Sequence, residues 1–245
     1  MPAPSIKTAS KAIKAVADFL VPIACVHCGE EGSLWCDQCI ENAPKLASNT
    51  CLKCGERTAE NLKLCGDCVA LPPPLDRLVP IYRYGGPARS VVHALKYRHI
   101  TAIAPAMADT MSAHQFVSRA NLDCVAPVPA HQDRLRERGY NQASLLAREI
   151  ADKLPLQFIE DALAKTRATQ SQVELTKQQR AISLRGAFEA NYRFDDGHVL
   201  LIDDVCTTGN TLMNCAAALK LAGARRVSAI VFAKETLDAE FDNEG

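Results

Sequence analysis

Residues 199–211 constrain the fold of this chain more than any other segment. The apolar run Val199–Ile202 predicts a buried strand, and two adjacent carboxylates, Asp203 and Asp204, follow it. A short turn rich in hydroxyl groups comes next, and apolar residues at helical spacing then predict a helix that ends near Gly223. A strand, a tight turn and a helix N-terminus in this order are typical of an α/β sheet with an anion site at a strand's carboxyl end.

The turn offers both halves of a sugar-phosphate site. Free backbone N–H groups and the positive end of the helix dipole meet where Thr207, Thr208 and Thr211 can add hydroxyl donors. The two carboxylates one step away can accept hydrogen bonds from the vicinal hydroxyl groups of a sugar. Asp and Thr are also common helix caps, so a strand end at which they only cap a helix is the alternative.

The segment resembles the phosphoribosyl pyrophosphate loop of type I phosphoribosyltransferases. The family pattern is four apolar residues, two acids, two mostly apolar residues, a small pair, a glycine, any residue and a hydroxyl residue, and residues 199–211 match it without a gap. The resemblance implies that Asp203 and Asp204, the candidate catalytic residues, orient the ribose through its hydroxyl groups. The residues that would bind the 5′-phosphate are Val205, Cys206, Thr207, Thr208, Gly209, Asn210 and Thr211.

Eight cysteines form four Cys-x2-Cys pairs within residues 25–68. Two thiolates separated by two residues can face one tetrahedral Zn²⁺, and two such pairs complete a four-sulfur shell. The arrangement repeats, so the simplest interpretation is two consecutive zinc ribbons; a cross-braced pairing and disulfides are the alternatives, the latter disfavoured because no convincing export signal is present. The predicted ligands are Cys25, Cys28, Cys36 and Cys39, followed by Cys51, Cys54, Cys65 and Cys68.

Length and composition agree with two unequal parts. The chain has 245 residues and a formal net charge of zero, which does not support a strongly basic, general nucleic-acid binder. We expect an N-terminal amphipathic helix over residues 1–24, a double zinc ribbon over 25–70 and a larger α/β domain over 79–235. No apolar stretch approaches the roughly eighteen residues of a membrane helix, so we predict a cytoplasmic protein without membrane insertion.

The larger part alternates predicted strands and helices. Strands are predicted at 79–84, 122–126, 158–165, 199–202 and 227–232, and helices at 87–97, 102–116 and 141–154. This alternation predicts an α/β fold, a mainly parallel sheet with helices on both faces and ligands at the carboxyl ends of its strands. Asp203 and the loop after Ala126 would both emerge at that edge.

Cationic side chains suited to phosphate oxygens follow two of the predicted elements. In type I phosphoribosyltransferases the loop after the corresponding strand holds pyrophosphate, so the resemblance makes Arg134, Arg136 and Arg138 candidates, and Lys96 is a further one. A solvated, charged helix start is the alternative for the three arginines.

The polar segment 165–188 has little apolar periodicity. It is predicted to be either a lid that closes over substrate, with Arg167, Gln170 and Arg180 as candidate contacts, or a plain surface connection.

The order of motifs along the chain resembles the ComF family, bacterial phosphoribosyltransferase-like proteins linked to DNA uptake and competence. The resemblance implies binding of phosphoribosyl pyrophosphate with Mg²⁺ and transfer of phosphoribose to an acceptor that the sequence does not identify. The motifs are Phe19-Leu-Val-Pro22, the paired cysteines, Leu95-Lys96-Tyr97, Pro127-Val-Pro129, Arg138-Gly-Tyr-Asn-Gln142, Thr166-Arg167, Arg185-Gly-Ala-Phe188 and the Asp203-Asp204 loop.

The alternative function is a non-catalytic accessory that binds single-stranded DNA or a competence helicase through the zinc ribbons, and a homo-oligomer is compatible with either. Base stacking would need aromatic residues among basic ones. Tyr82, Tyr84 and Trp35 are candidates, although a buried Trp is the commoner explanation for Trp35.

Overall fold

The computed structural model describes residues 23–165 and 187–236. The predicted helix at 1–24 falls almost wholly outside these ranges, and so do the lid candidates Arg167, Gln170 and Arg180. Seven strands are present in the described part: β1 (Arg77–Arg83), β2 (Cys124–Pro127), β3 (Gln157–Phe158), β4 (Leu163–Lys165), β5 (Phe188–Ala190), β6 (His198–Cys206) and β7 (Arg226–Lys234).

Five of these strands form one parallel sheet in the order β1-β7-β6-β2-β3. β4 and β5 form a separate antiparallel pair. The parallel sheet confirms the predicted α/β class, and it places the end of β6 between β2 and β7. Side chains at this point lie at the centre of the carboxyl edge, where parallel sheets bind ligands.

The helices cover both faces of the sheet. Apolar residues of β6 alternate between two buried clusters: Leu200 and Ile202 belong to one, and Val199 and Leu201 belong to the other. The described helices are α1 (Asp37–Glu41), α2 (Gly66–Ala70), α3 (Gly86–Tyr97), α4 (Ala104–Ser112), α5 (Gln115–Arg119), α6 (Gln132–Arg138), α7 (Gln142–Lys153) and α8 (Asn210–Leu221). The first cluster packs under α3, α4 and α7, and the second packs under α8.

Across the described ranges, no helix has the length and apolar character needed to cross a bilayer.

The structure departs from the predicted elements at several points. The helix expected over 102–116 is divided into α4 and α5, because the His114 side chain accepts a hydrogen bond from the Phe116 backbone N–H and starts a new helix there. The strand expected over 158–165 divides into β3, which pairs with β2, and β4, which pairs with β5. The charged segment after Pro129 contains a helix, α6, that the strand-and-helix pattern did not predict.

The two cysteine-rich segments pack directly against the larger domain. Trp35 is 3% exposed, and its ring lies 5.6 Å from that of Tyr82 and 5.3 Å from that of Phe232. In the second segment, the Leu78 backbone N–H donates to the Leu52 carbonyl at 2.8 Å. Trp35 and Tyr82 are therefore core residues, and the base-stacking role considered for them is wrong.

Candidate functional site

The acid pair lies inside β6 rather than after it. The strand continues through Asp203 and Asp204 to Cys206, beyond the end predicted at Ile202. The Asp203 Oδ1 atom accepts a hydrogen bond from the Asp204 backbone N–H at 2.9 Å. Asp204 is 5% exposed and Asp203 is partly exposed, and both carboxylates lie at the carboxyl edge of the sheet.

A lysine from α3 balances part of this negative charge. The Lys96 Nζ atom lies 2.8 Å from the Asp204 Oδ2 atom, an ion pair without a well-aligned hydrogen bond. Burial and the neighbouring Asp204 charge raise the pKa of Asp203 well above its usual range, and Lys96 offsets this only in part. The edge is therefore a site where hydroxyl donors or a cation would be favourable partners for Asp203.

The loop between β6 and α8 presents its polar groups to solvent. Thr207, Thr208, Asn210 and Thr211 are all exposed. Gly209 precedes α8 with φ of 77°, the left-handed conformation that glycine adopts without steric cost. No side chain caps the first turn of this twelve-residue helix, so its backbone N–H groups remain available to an anion.

Motifs that are distant in sequence meet around this edge. The Tyr140 hydroxyl donates a hydrogen bond to the Leu95 carbonyl, and the Asn141 side-chain amide donates to the Val128 carbonyl at 2.9 Å. The Asn141 Oδ1 atom also accepts from the Ala143 N–H at 3.1 Å and so caps α7. The segments 95–97, 127–129 and 138–142 are thereby fixed to one another by hydrogen bonds.

The four cationic candidates are placed differently. Arg138 is partly buried and lies over the Tyr97 ring at 5.2 Å, and its Nε atom has no hydrogen-bond partner among the described residues. Arg134 and Arg136 lie on the exposed surface of α6, where Arg136 pairs with Asp133 at 3.5 Å. The structure thus brings Lys96 and Arg138 into the motif cluster and leaves Arg134 and Arg136 in solvent.

The eight paired cysteines form two separate clusters. In each cluster the four sulfur atoms lie within 4.8 Å of one another, as a single tetrahedral metal ion requires. The pairing is consecutive rather than cross-braced, and every described cysteine is a free thiol. The clusters consist of Cys25, Cys28, Cys36 and Cys39, and of Cys51, Cys54, Cys65 and Cys68.

The two ribbons share a backbone hydrogen bond as well as a sequence pattern. The Cys25 N–H donates to the Glu30 carbonyl at 2.7 Å, and the Cys51 N–H donates to the Glu56 carbonyl at 2.7 Å. Burial opposes ionisation of the Cys25 thiol, but hydrogen bonds from the backbone of Cys28, Cys36 and His27 outweigh it and lower its pKa to about 6. The same balance lowers the pKa of Cys51 to about 7. The four sulfur atoms of each cluster are close enough to share one ion, so both donor sets fit a structural zinc ion.

A buried lysine that the sequence analysis did not single out joins the second ribbon to the loop. Lys234 ends β7 and is 1% exposed. Its Nζ atom donates to the Glu56 Oε1 atom at 2.9 Å and to the carbonyls of Thr207 and Glu235 at 3.2 Å each. A lysine at the end of an apolar strand is the sequence signal that could have identified it, because buried lysines are rare unless paired.

Comparison with known families defines the class of protein. Residues 135–244 match the phosphoribosyl transferase domain, and residues 16–69 match the double zinc ribbon domain. The parallel sheet and the two cysteine clusters agree with both matches. The chain is a phosphoribosyltransferase-like protein that carries a double zinc ribbon.

Similar proteins narrow this class to one family. The chain is 31% identical over 212 residues to DNA utilization protein YhgH of Escherichia coli, covering 84% of this chain and 91% of that protein. It is 26% identical over 223 residues to competence protein F of Haemophilus influenzae, covering 83% of this chain and 93% of that protein. The chain belongs to the ComF/YhgH family.

Solved structures resemble the larger domain only distantly. Glutamine phosphoribosylpyrophosphate (PRPP) amidotransferase from B. subtilis matches with a TM-score of 0.37 at 20% identity, over 52% of this chain and 26% of that one. The α/β class follows from the parallel sheet itself.

Proposed function

We propose that this protein binds phosphoribosyl pyrophosphate with Mg²⁺ at the carboxyl edge of its sheet. The observation that carries the proposal is the segment Thr207–Thr211, which follows the acid pair by two residues. Its polar side chains are exposed, and no side chain caps the helix α8 that begins within it. Backbone N–H groups and hydroxyl groups there suit a 5′-phosphate, and the carboxylate of Asp203 suits ribose hydroxyl donors. A sugar phosphate such as phosphoribosyl pyrophosphate satisfies both halves at once.

The cationic side of the site fits a pyrophosphate group. The Lys96 ammonium group has three N–H donors, and only one side of it faces Asp204. It can therefore also donate a hydrogen bond to a phosphate oxygen. Arg138 has a buried Nε donor that lacks a partner among the described residues. These two residues would bind the leaving pyrophosphate, and the aspartates would orient the ribose.

The donor set also fits Mg²⁺. This ion prefers oxygen ligands and is usually held by one or two carboxylates together with substrate phosphates, which Asp203 and the pyrophosphate would supply. When bound, Mg²⁺ would supply charge neutralisation of the pyrophosphate.

Calorimetric titration with phosphoribosyl pyrophosphate and Mg²⁺ tests this assignment. The variant Asp203→Asn/Asp204→Asn should lose at least about a hundredfold in affinity, since two charge-assisted contacts of roughly 1.5–3 kcal/mol each are removed. The matched control is Asp195→Asn/Asp196→Asn, a second pair of adjacent aspartates, which is exposed and lies before β6. Undiminished affinity in the first variant, or an equal loss in the control, would refute the site.

We further propose that the protein transfers phosphoribose from this ligand to an acceptor. A screen of bases and amines for release of pyrophosphate would identify the acceptor. Release that depends on Asp203 and on a particular acceptor supports transfer. Ligand binding without release for any acceptor would assign the protein to a non-catalytic role.

The names of the relatives suggest a cellular process. YhgH is called a DNA utilization protein and its relative a competence protein, so we propose that this chain acts in the uptake or use of DNA, in the cytoplasm, where thiols stay reduced for zinc.

A second candidate function is contact with single-stranded DNA or a helicase beside the first ribbon. A groove of about 290 Å³ there is lined by Val26, Arg89, Ser90, His93 and Arg98. Binding of an oligonucleotide should weaken steeply with salt and should fall in Arg89→Gln/Arg98→Gln. No binding at low salt would exclude the DNA contact.

A further inference from the structure

The amino edge of the sheet, opposite the acid pair, contains a basic cavity. It has a volume of about 460 Å³, and Arg77, Arg119 and Arg226 contribute to its lining together with Phe116 and His198. Arg77, His198 and Arg226 are the first residues of β1, β6 and β7, which are neighbours in the sheet, and Arg119 is the last residue of α5. The topology therefore gathers three guanidinium groups that are widely separated in sequence.

The arginines that line this cavity are not engaged in direct ion pairs. Within residues 23–165 and 187–236, none of the three arginines forms an ion pair with a carboxylate. The Asp76 Oδ2 atom already pairs with Lys220 at 2.7 Å and accepts from the Val227 N–H at 2.8 Å. The Asp123 Oδ2 atom accepts from the His198 N–H at 2.7 Å. The cavity consequently favours an anion.

His198 forms a fixed wall of the cavity rather than a reactive group. Its two ring nitrogens lie 2.9 Å from the Asn121 carbonyl and 2.9 Å from the Ser228 hydroxyl. Burial lowers the pKa of His198, and the charge of Arg226 acts in the same direction. The cationic groups of the cavity are therefore the arginines.

Arg77 offers both a donor and a flat surface. Its Nε atom is buried and has no hydrogen-bond partner among the described residues, and such orphan donors are rare unless a ligand or water satisfies them. The guanidinium group lies over the Phe116 ring, 4.7 Å from its centroid. Guanidinium planes also stack against flat aromatic rings, so this pair can support a nucleobase.

We propose that this cavity binds a nucleoside monophosphate group, either as a free nucleotide or as the phosphorylated end of a DNA single strand. The arginines hold the phosphate, and the base lies against the Arg77–Phe116 pair. The volume is far larger than a phosphate ion needs and falls in the range of about 300–1,000 Å³ typical of small-molecule sites. The site is separate from the carboxyl edge and does not depend on binding of phosphoribosyl pyrophosphate.

Calorimetric titration of the full chain with AMP tests the proposal. The experiment is done in the Asp203→Asn/Asp204→Asn background, so that binding at the carboxyl edge contributes little to the measured AMP affinity. Adding Arg119→Gln or Arg226→Gln should lower affinity at least about tenfold, since each removes a charge-assisted phosphate contact. Circular dichroism checks that both variants are folded.

The neighbouring Arg225 provides the matched control. It is also exposed, but it lies 3.6 Å from Asp196 and outside the cavity, so Arg225→Gln should leave AMP affinity unchanged. An equal loss in Arg225→Gln would show a general charge effect and overturn the site. Failure of AMP and of a 5′-phosphorylated oligothymidylate to bind at millimolar concentration would overturn it as well.

Two further probes define the ligand. Tighter binding of AMP than of the 5′-phosphorylated oligothymidylate supports a free nucleotide. Tighter binding of the oligonucleotide, lost when its 5′-phosphate is removed, supports the end of a DNA strand. Ribose 5-phosphate should bind at least about tenfold more weakly than AMP, and equal binding would overturn the placement of the base against Arg77 and Phe116.

Discussion

Replacing Gly55 with alanine should loosen the contact between the second zinc ribbon and the loop between β6 and α8. A Cβ atom at Gly55 would lie 2.8 Å from both Cδ and Cε of Lys234, which is closer than carbon atoms approach. The Lys234 side chain would have to move, and its Nζ atom holds the Thr207 carbonyl at the start of that loop. The internal repeat supplies the control, because Gly29 has the same place in the first ribbon and open space around its Cβ position.

The magnitude follows from comparing the two glycines. Both have positive φ, 73° at Gly55 and 81° at Gly29, so alanine should cost about 1–2 kcal/mol of backbone strain at either position. Only Gly55→Ala adds crowding in a packed region, which typically costs a further ~1–3 kcal/mol. For a chain of this length each kcal/mol lowers the melting temperature by about 2–4 °C. We expect a loss of about 2–8 °C in Gly29→Ala and several degrees more in Gly55→Ala.

Thermal unfolding of the zinc-loaded protein measures this difference. The same two substitutions are repeated in a Lys234→Ala background, where the side chain that would collide is absent. The excess cost of Gly55→Ala should then disappear, since the coupling between contacting residues is what such a double-mutant cycle isolates. Equal losses in the two glycine variants, or an excess that persists without the lysine, would refute the reasoning.

Three other outcomes follow from the geometry. Because the folded pKa of Asp203 is raised, the native state binds its proton more tightly than the unfolded chain does; this stabilisation is complete below pH ~4 and is lost as pH rises through the folded pKa. Without bound ligand, the melting temperature of Asp203→Asn should therefore be higher than that of the unmodified protein at pH 8 and equal to it at pH 3.5. Equal melting temperatures at pH 8 would contradict this. Cys28→Ser should reduce bound zinc from about two ions per chain to about one, whereas Cys124→Ser, a core cysteine outside both clusters, should leave it unchanged by metal analysis. Tyr140→Phe should lower stability by about 1 kcal/mol in denaturant unfolding, and unchanged stability would argue against the role of the Tyr140 hydroxyl.

Local chemistry explains why much of this architecture could be predicted. The strand at Val199–Ile202, the turn and the following helix are each specified by residues within a few positions of one another, so the strand-turn-helix unit could be predicted from the sequence. The same holds for the cysteine clusters, because a Cys-x2-Cys pair can wrap one metal ion without any distant partner.

Other features could not be predicted because the participating groups are far apart in sequence. The motif Arg138–Gln142 gave no indication that the Tyr140 hydroxyl would bond to the Leu95 carbonyl. The three alternating arginines look equivalent in sequence, yet α6 exposes Arg134 and Arg136 and turns Arg138 toward the ring of Tyr97. Helical geometry decides which side of such a run faces the protein, and the charged pattern alone does not reveal it.

The sequence by itself determined the α/β class, the acid-and-threonine loop and the two sets of sulfur ligands, since short-range spacing encodes each of them. Only the tertiary structure decided that Lys96 neutralises Asp204, that Lys234 ties the second ribbon to Thr207, and that three arginines meet at the opposite edge. The physical reason is that a parallel sheet brings strand ends together from distant parts of the chain. Strand order and register determine which charged residues become neighbours, and a local sequence pattern does not predict either of them.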